Sequence, residues 1–218
     1  MKIETCIKES FAVIGREGST EDGADFVRRL WEDANSRFGE VAALAKKDEK
    51  GNLLGIWGAM TDFSRSFLPW EGDFSRGLYL AGVECEADAV PPAGWRQWIV
   101  PGYEYLRAEC DHAGVFPEMI AYLRQRNIPL VGAVHDFTCP ITGRNYMYFP
   151  VRKLSKIPGG CTGQPPGCGI AGFTQPALPG RRRRNRRCSG LRRAGECSHG
   201  TRVQRFCLPR YRSISMRF

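Results

Sequence analysis

The chain has 218 residues, room for one ordinary domain with an appendage or for two small domains. Its net charge of +9 hides a split: residues 1–150 carry 16 Lys+Arg against 22 Asp+Glu (−6), and residues 151–218 carry 16 against 1 (+15). No stretch approaches the ~18 apolar residues of a membrane span and no secretory leader pattern opens the chain, so the expected compartment is the cytoplasm and membrane partners are excluded.

In chain order, Thr5–Glu17 holds Cys6, Ile7, Phe11, Val13 and Ile14 in an extended-looking stretch and reads as one strand, broken by the Gly18–Gly23 segment. Phe26, Val27, Leu30, Trp31, Ala34, Phe38, Val41, Ala42 and Ala45 then recur at helical spacing, which predicts a helix over 24–45 with Thr20 or Asp22 to cap it. Leu53–Met60 reads as a strand. The segment 61–75 is irregular yet carries Phe63, Phe67, Trp70 and Phe74, too aromatic for an exposed loop, and is expected to fold over something. Gly77–Glu86 is the next strand, ended by the turn around Pro91 and Pro92.

The second half repeats the first in kind. Trp98–Glu109 reads as a long strand, Phe116–Arg126 as a helix with Pro117 in its first turn and Asn127 near its end, and Leu130–Phe137 and Tyr146–Val151 as two more strands. Two strand-helix-strand-strand units can pair around a pseudo-twofold axis, leaving a concave face between them where ligands commonly bind.

Three segments in order carry a family resemblance: GLYLAGVECE (77–86), PPAGWRQWIVPGYEYL (91–106) and YMYFPVRK (146–153). With two intervening helices, residues 3–153 resemble the GyrI-like domain, the small-molecule-binding domain also found at the end of bacterial transcription activators. The resemblance implies an α+β fold, a duplicated β-α-β-β module with antiparallel sheets around a pseudo-twofold axis. Regulatory members carry a DNA-binding helical domain ahead of this one, and here the chain opens at the first strand, so a stand-alone binder or enzyme is expected. The stretch 55–86 looks closest to stand-alone members, some of which hydrolyse the strained cyclopropane of aromatic DNA-alkylating natural products. Many effector domains place a Glu on the last strand, four residues before the Pro, to meet cationic drugs; this chain has Tyr146 there.

Aromatic side chains give large buried area at low entropic cost and suit flat apolar ligands. The candidates are Trp57, Phe63, Trp70, Phe74, Tyr79, Trp98, Tyr103, Tyr105 and Tyr148, with Trp95 also available; any one taken singly reads first as a core-filling residue, and the expectation rests on the set. Glu104, between Tyr103 and Tyr105, points to the opposite strand face from both. If that face is the concave one, a poorly solvated carboxylate could act as acid or base, and Glu104 with Tyr146 is the expected catalytic pair for ring opening. Glu118 in a first helical turn is accounted for by the helix dipole. His112 and His135 lack partners at metal-ligand spacing, and a surface position is expected for His135, with pairing to Asp136 in the site as the alternative. No nucleotide-type glycine loop, nucleophile elbow or zinc spacing occurs in the body, so no cofactor and no metal is expected. Cys6, Cys85, Cys110 and Cys139 read as reduced thiols in or near the core.

Residues 155–218 are rich in Arg, Gly, Pro, Ser and Cys, which predicts a disordered tail after a domain spanning 1–154. Arg181–Arg184 with Arg186 and Arg187 would bind nucleic acid through charge alone. Cys188, Cys197, His199 and Cys207 match no familiar finger. The abrupt change suggests a frameshift or read-through product, an idea that an intact reading frame across codons 150–165 would remove. Three functions follow: binding of a flat hydrophobic small molecule, hydrolysis of a strained ring in the same pocket, and non-specific nucleic-acid binding through the tail. Monomer and homodimer are both compatible with this sequence.

Overall fold

The computed structural model describes residues 1–155, and every expectation about the tail lies outside the described residues. The strands are β1 (Ile3–Lys8), β2 (Phe11–Ser19), β3 (Ile56–Thr61), β4 (Leu78–Cys85), β5 (Arg96–Val100), β6 (Tyr103–Glu109), β7 (His135–Thr138) and β8 (Asn145–Lys153). The helices are α1 (Phe26–Ser36), the short α2 (Glu71–Phe74) and α3 (Val115–Gln125). The fold is α+β, and all eight strands join one antiparallel sheet in the order β1-β6-β8-β7-β3-β4-β2-β5.

That order is symmetric. Exchanging β1 with β5, β2 with β6, β3 with β7 and β4 with β8 maps the list onto its own reverse, so the pseudo-twofold passes between β3 and β7. The repeat is therefore β-β-α-β-β, one strand longer than expected, and its first strand is exchanged: β1 pairs with β6 of the other half, and β5 with β2. The sheets of the two halves are continuous through the β3–β7 pair at Trp57↔Phe137.

The exchange forces the sheet to curl. Positions 1 and 7 of a flat sheet lie roughly 29 Å apart at about 4.8 Å per strand. Yet β1 and β2 occupy those positions and are joined only by Glu9 and Ser10, a reach of about 11 Å. Pro101–Gly102 makes the equivalent link from β5 to β6. The two links cross: the Ser10 hydroxyl donates to the Val100 carbonyl at 2.9 Å, and a Cβ on Gly102 would sit 3.0 Å from the Ser10 nitrogen. Gly102 is needed there because the backbones approach so closely.

The sequence reading ran both strand pairs together. Nothing in Lys8-Glu9-Ser10 is a strong breaker, so Thr5–Glu17 is really two strands that leave for opposite edges. The 98–109 strand is likewise two, and there Pro101–Gly102 was the visible signal. The helix expected over 24–45 ends at Ser36, and Phe38–Glu40 follows as a 3-10 turn. Val41 and Ala45 are buried without being helical, so the apolar spacing beyond residue 36 reports packing, with Ala45 bridging to Cys85. The strand expected over 130–137 is confined to β7, because Leu130–Val134 forms a separate approach in which Val131 N–H bonds the Pro150 carbonyl.

Both long helices lie on the outer face. Phe26, Trp31 and Ala34 of α1 pack with Ala12, Ile14, Tyr79 and Ala81, and Val115, Met119, Ile120 and Leu123 of α3 pack with Ala108, Met147 and Phe149. The inner face of the curl carries its own cluster. Asn127 closes α3 at φ +52°, with Ile128 N–H bonding the Leu123 carbonyl, a left-handed cap suited to Asn. Among the described residues no helix is long and apolar enough to cross a membrane.

Candidate functional site

Strand parity decides what faces inward. Glu4, Cys6 and Lys8 of β1 share a face with Tyr103, Tyr105 and Arg107 of β6, and Tyr146 and Tyr148 of β8 follow. Next come His135 and Phe137 of β7, Trp57 and Ala59 of β3, Leu78, Leu80 and Glu84 of β4, Phe11, Val13 and Glu17 of β2, and Trp98 and Val100 of β5.

Trp57 is the centre. Its ring lies 4.6 Å from Phe11, 4.7 Å from Phe137 and 5.2 Å from Tyr148, centroid to centroid. Tyr148 continues to Tyr105 at 5.5 Å, and Tyr105 to Tyr103 at 5.6 Å, both edge-to-face. Such pairs add stabilisation beyond their area, about 0.5–1.5 kcal/mol each. Phe67 stands edge-on to Trp98 at 6.1 Å, held by a loop in which the buried Asp62 carboxylate accepts the Ser66 and Leu68 N–H groups. That loop is the aromatic segment 61–75, and its Phe63 and Phe67 fold over the inner cluster.

The expected ring set is thus divided. Trp57, Trp98, Tyr103, Tyr105 and Tyr148 come together on the inner face, with Phe63 and Tyr146 at its margin. Tyr79 and Trp70 belong to the outer face under α1, and Phe74 packs on Phe116 of α3 at 5.2 Å. Tyr79 is occupied there: its hydroxyl accepts from the Trp31 indole N–H at 3.1 Å and donates to Asp136 at 3.0 Å. Glu104 also lies off the ringed face, ion-paired with Arg152 at 2.6 Å, so the condition attached to its catalytic role is not met. Tyr146 has the Arg107 guanidinium 5.2 Å from its ring.

Glu84 and Glu17 are inner-face carboxylates that the sequence does not single out. Glu84, 7% exposed, accepts the Trp57 indole N–H at 3.2 Å and pairs with Lys8 at 3.0 Å. Lys8 also stands 4.4 Å from the Phe11 ring centroid. Glu17 takes both Arg65 guanidinium nitrogens at 2.7 Å and the Trp98 indole N–H at 2.8 Å. The Arg65 hydrogen bonds, with that of Trp98, hold its carboxyl below the usual range against an opposing desolvation. Glu84 sits in a run, Leu78–Cys85, buried at every position, so no alternation marked it; an acidic residue inside such a run was the one available signal.

His135, expected at the surface, is fully buried. Its Nδ1 accepts the Met60 N–H at 3.1 Å, and burial lowers its pKa to about 3. Burial likewise raises the pKa values of the Tyr103 and Tyr105 hydroxyls. Cys85, Cys110 and Cys139 are free thiols. Among the described residues no cluster of His, Cys, Asp and Glu is arranged to hold a metal. A separate depression of about 390 Å³ lies outside the crossing links, lined by Ile99, Pro101, Gly102 and Leu154, and contains none of the rings.

No family model matches the sequence, and no curated protein matches it. Among solved structures, SAV2435 bound to tetraphenylphosphonium is similar over 70% of this chain and 94% of its own, at 14% identity and a TM-score of 0.49. A bacterial transcription regulation protein from Staphylococcus aureus MU50 covers 70% and 99%, at 18% and 0.45. An integron cassette protein from Vibrio cholerae covers 69% and 95%, at 16% and 0.39. The α+β class, the duplication and the pseudo-twofold axis of this chain are those that the GyrI-like resemblance implies, with each repeat one strand longer.

Proposed function

We propose that residues 1–154 are a GyrI-like domain that binds a flat, hydrophobic aromatic small molecule against the inner face of the curled sheet. The observation that carries the reading is the continuous set of buried rings from Tyr103 through Tyr105, Tyr148 and Trp57 to Phe11, on the sheet face opposite the helices. A ligand ring sliding among them would exchange one aromatic neighbour for another at little cost in buried area. Phe63 and Phe67, on a loop rather than a strand, are the covers best able to move aside.

Titrating the whole protein with acridine while following tryptophan fluorescence tests this. Saturable quenching is expected, weakened at least about tenfold in Trp57→Ala, where loss of one buried ring removes roughly 1.5–3 kcal/mol of contact. Linear, non-saturating quenching identical in both proteins would overturn it.

The hydrolase alternative needs a carboxylate beside the rings. Glu104 is turned away toward Arg152, whereas Glu84 lies against Trp57, so in this reading Glu84 replaces Glu104 as the acid-base group. Its test is incubation with a cyclopropane-bearing aromatic and detection of the water-added, ring-opened product; absence of product from a sample that binds the compound leaves binding alone.

A further inference from the structure

Among the described side chains, only two buried polar atoms have no hydrogen-bond partner: the Tyr105 hydroxyl and His135 Nε2. Both residues are 0% exposed, and their rings lie 6.3 Å apart, centroid to centroid, on the same inner face. An unsatisfied buried group is costly, and native cores retain few. Two on rings 6.3 Å apart in one aromatic cluster point to a polar atom supplied from elsewhere.

The chemistry of that atom follows from the histidine. Nδ1 accepts the Met60 backbone N–H, so on a neutral ring the proton resides on Nε2. Full burial keeps the ring neutral. His135 therefore presents an N–H donor, and the Tyr105 hydroxyl can donate alongside it. A pair of unpaired donors among aromatic rings suits an oxygen acceptor. They repel an ammonium, and an apolar ligand would leave both unpaired.

We propose that His135 and Tyr105 form a polar notch in the ringed face that receives one oxygen acceptor, a ketone- or quinone-type carbonyl, of a flat aromatic ligand. The inference rests on the binding reading above and adds a ligand class to it: an aromatic carbonyl in preference to the bare hydrocarbon or an aromatic cation. His135 fixes the carbonyl's direction in the plane of the sheet face, and Tyr105, linked to Tyr148 at 5.5 Å, sets it against the ring series.

The probes are fluorene and 9-fluorenone, equal in shape and differing by one carbonyl, titrated into the full-length protein with tryptophan fluorescence as the readout. The ketone should bind about tenfold more tightly than the hydrocarbon, the ratio expected for one good hydrogen bond to otherwise unpaired donors. Tyr105→Phe deletes only the hydroxyl. His135→Asn keeps an acceptor toward the Met60 N–H while withdrawing the Nε2 donor. In each variant the ketone-to-hydrocarbon affinity ratio should fall to threefold or less. Equal binding of the two probes by the unaltered protein, or a preference that survives both substitutions, overturns the notch and leaves the binding domain standing. Failure of both probes to bind removes the binding reading and the notch together.

Discussion

Replacing Lys8 by Met removes an ion pair that ties an edge strand of the sheet to a strand five places away. Lys8 Nζ lies 3.0 Å from a Glu84 oxygen, and Glu84 is 8% exposed at its side chain against 27% for Lys8. Removing one member of a fully buried pair costs about 3–5 kcal/mol, because the other charge is stranded. The partial exposure of Lys8 lets water reach the site and reduces that to roughly 1–3 kcal/mol. At about 2–4 °C per kcal/mol for a domain of this size, Tm should fall by roughly 3–10 °C. Glu84→Gln should cost less, since it removes the charge while leaving an oxygen to accept from Trp57 Nε1. The double variant should recover stability relative to Lys8→Met alone. Urea unfolding followed by circular dichroism on all four proteins gives the cycle. If Lys8→Met is no worse than Glu84→Gln, or the double variant is strictly additive, the pair is not coupled in a poorly solvated interior and the reasoning fails.

Three further outcomes are expected. Glu17 has its pKa depressed on folding, so its stabilising contribution is present above the unfolded value of 4.5 and disappears as pH falls through the lower folded value. Glu17→Gln should therefore be less stable than the parent at pH 7 and converge with it in acid; a constant difference across pH 2–7 would contradict this. Gly58→Ala should destabilise by about 1–3 kcal/mol, because the new Cβ would fall 1.9 Å from the Tyr79 hydroxyl and displace it from Trp31 and Asp136, measurable as a lowered urea midpoint. Asn127→Gly should be neutral or stabilising by up to ~1 kcal/mol, since glycine takes φ +52° without strain, whereas Asn127→Val should lower Tm.

The elements were legible in the sequence wherever the signal was local. The helical spacing of Phe26, Leu30, Trp31 and Ala34 and the turn at Asn127 are one-dimensional patterns, and both are found where expected. Strand exchange was not legible, because the partner of Ile3 is Ala108, and nothing in residues 3–8 distinguishes that partner from a hairpin with 11–19. The face of each site residue was half legible. Alternation separates Glu104 from Tyr103 and Tyr105, but only helix placement tells which side is enclosed, and that put Glu104 outside and Glu84 inside. His135 is misplaced by sequence for a related reason: a histidine beside Asp136 near a strand end looks exposed until its position at the middle of an eight-stranded curl is known.

Trading their leading strands has made the two repeats mutually dependent. A polypeptide cut between Cys85 and Arg96 would leave β2 without β5 and β6 without β1, so each fragment would carry a naked sheet margin and an open ring cluster. Denaturation should accordingly be one all-or-none event. Folding must wait for contacts a hundred residues apart, such as Ile3 with Ala108, which places this topology among the slower-forming architectures of its size.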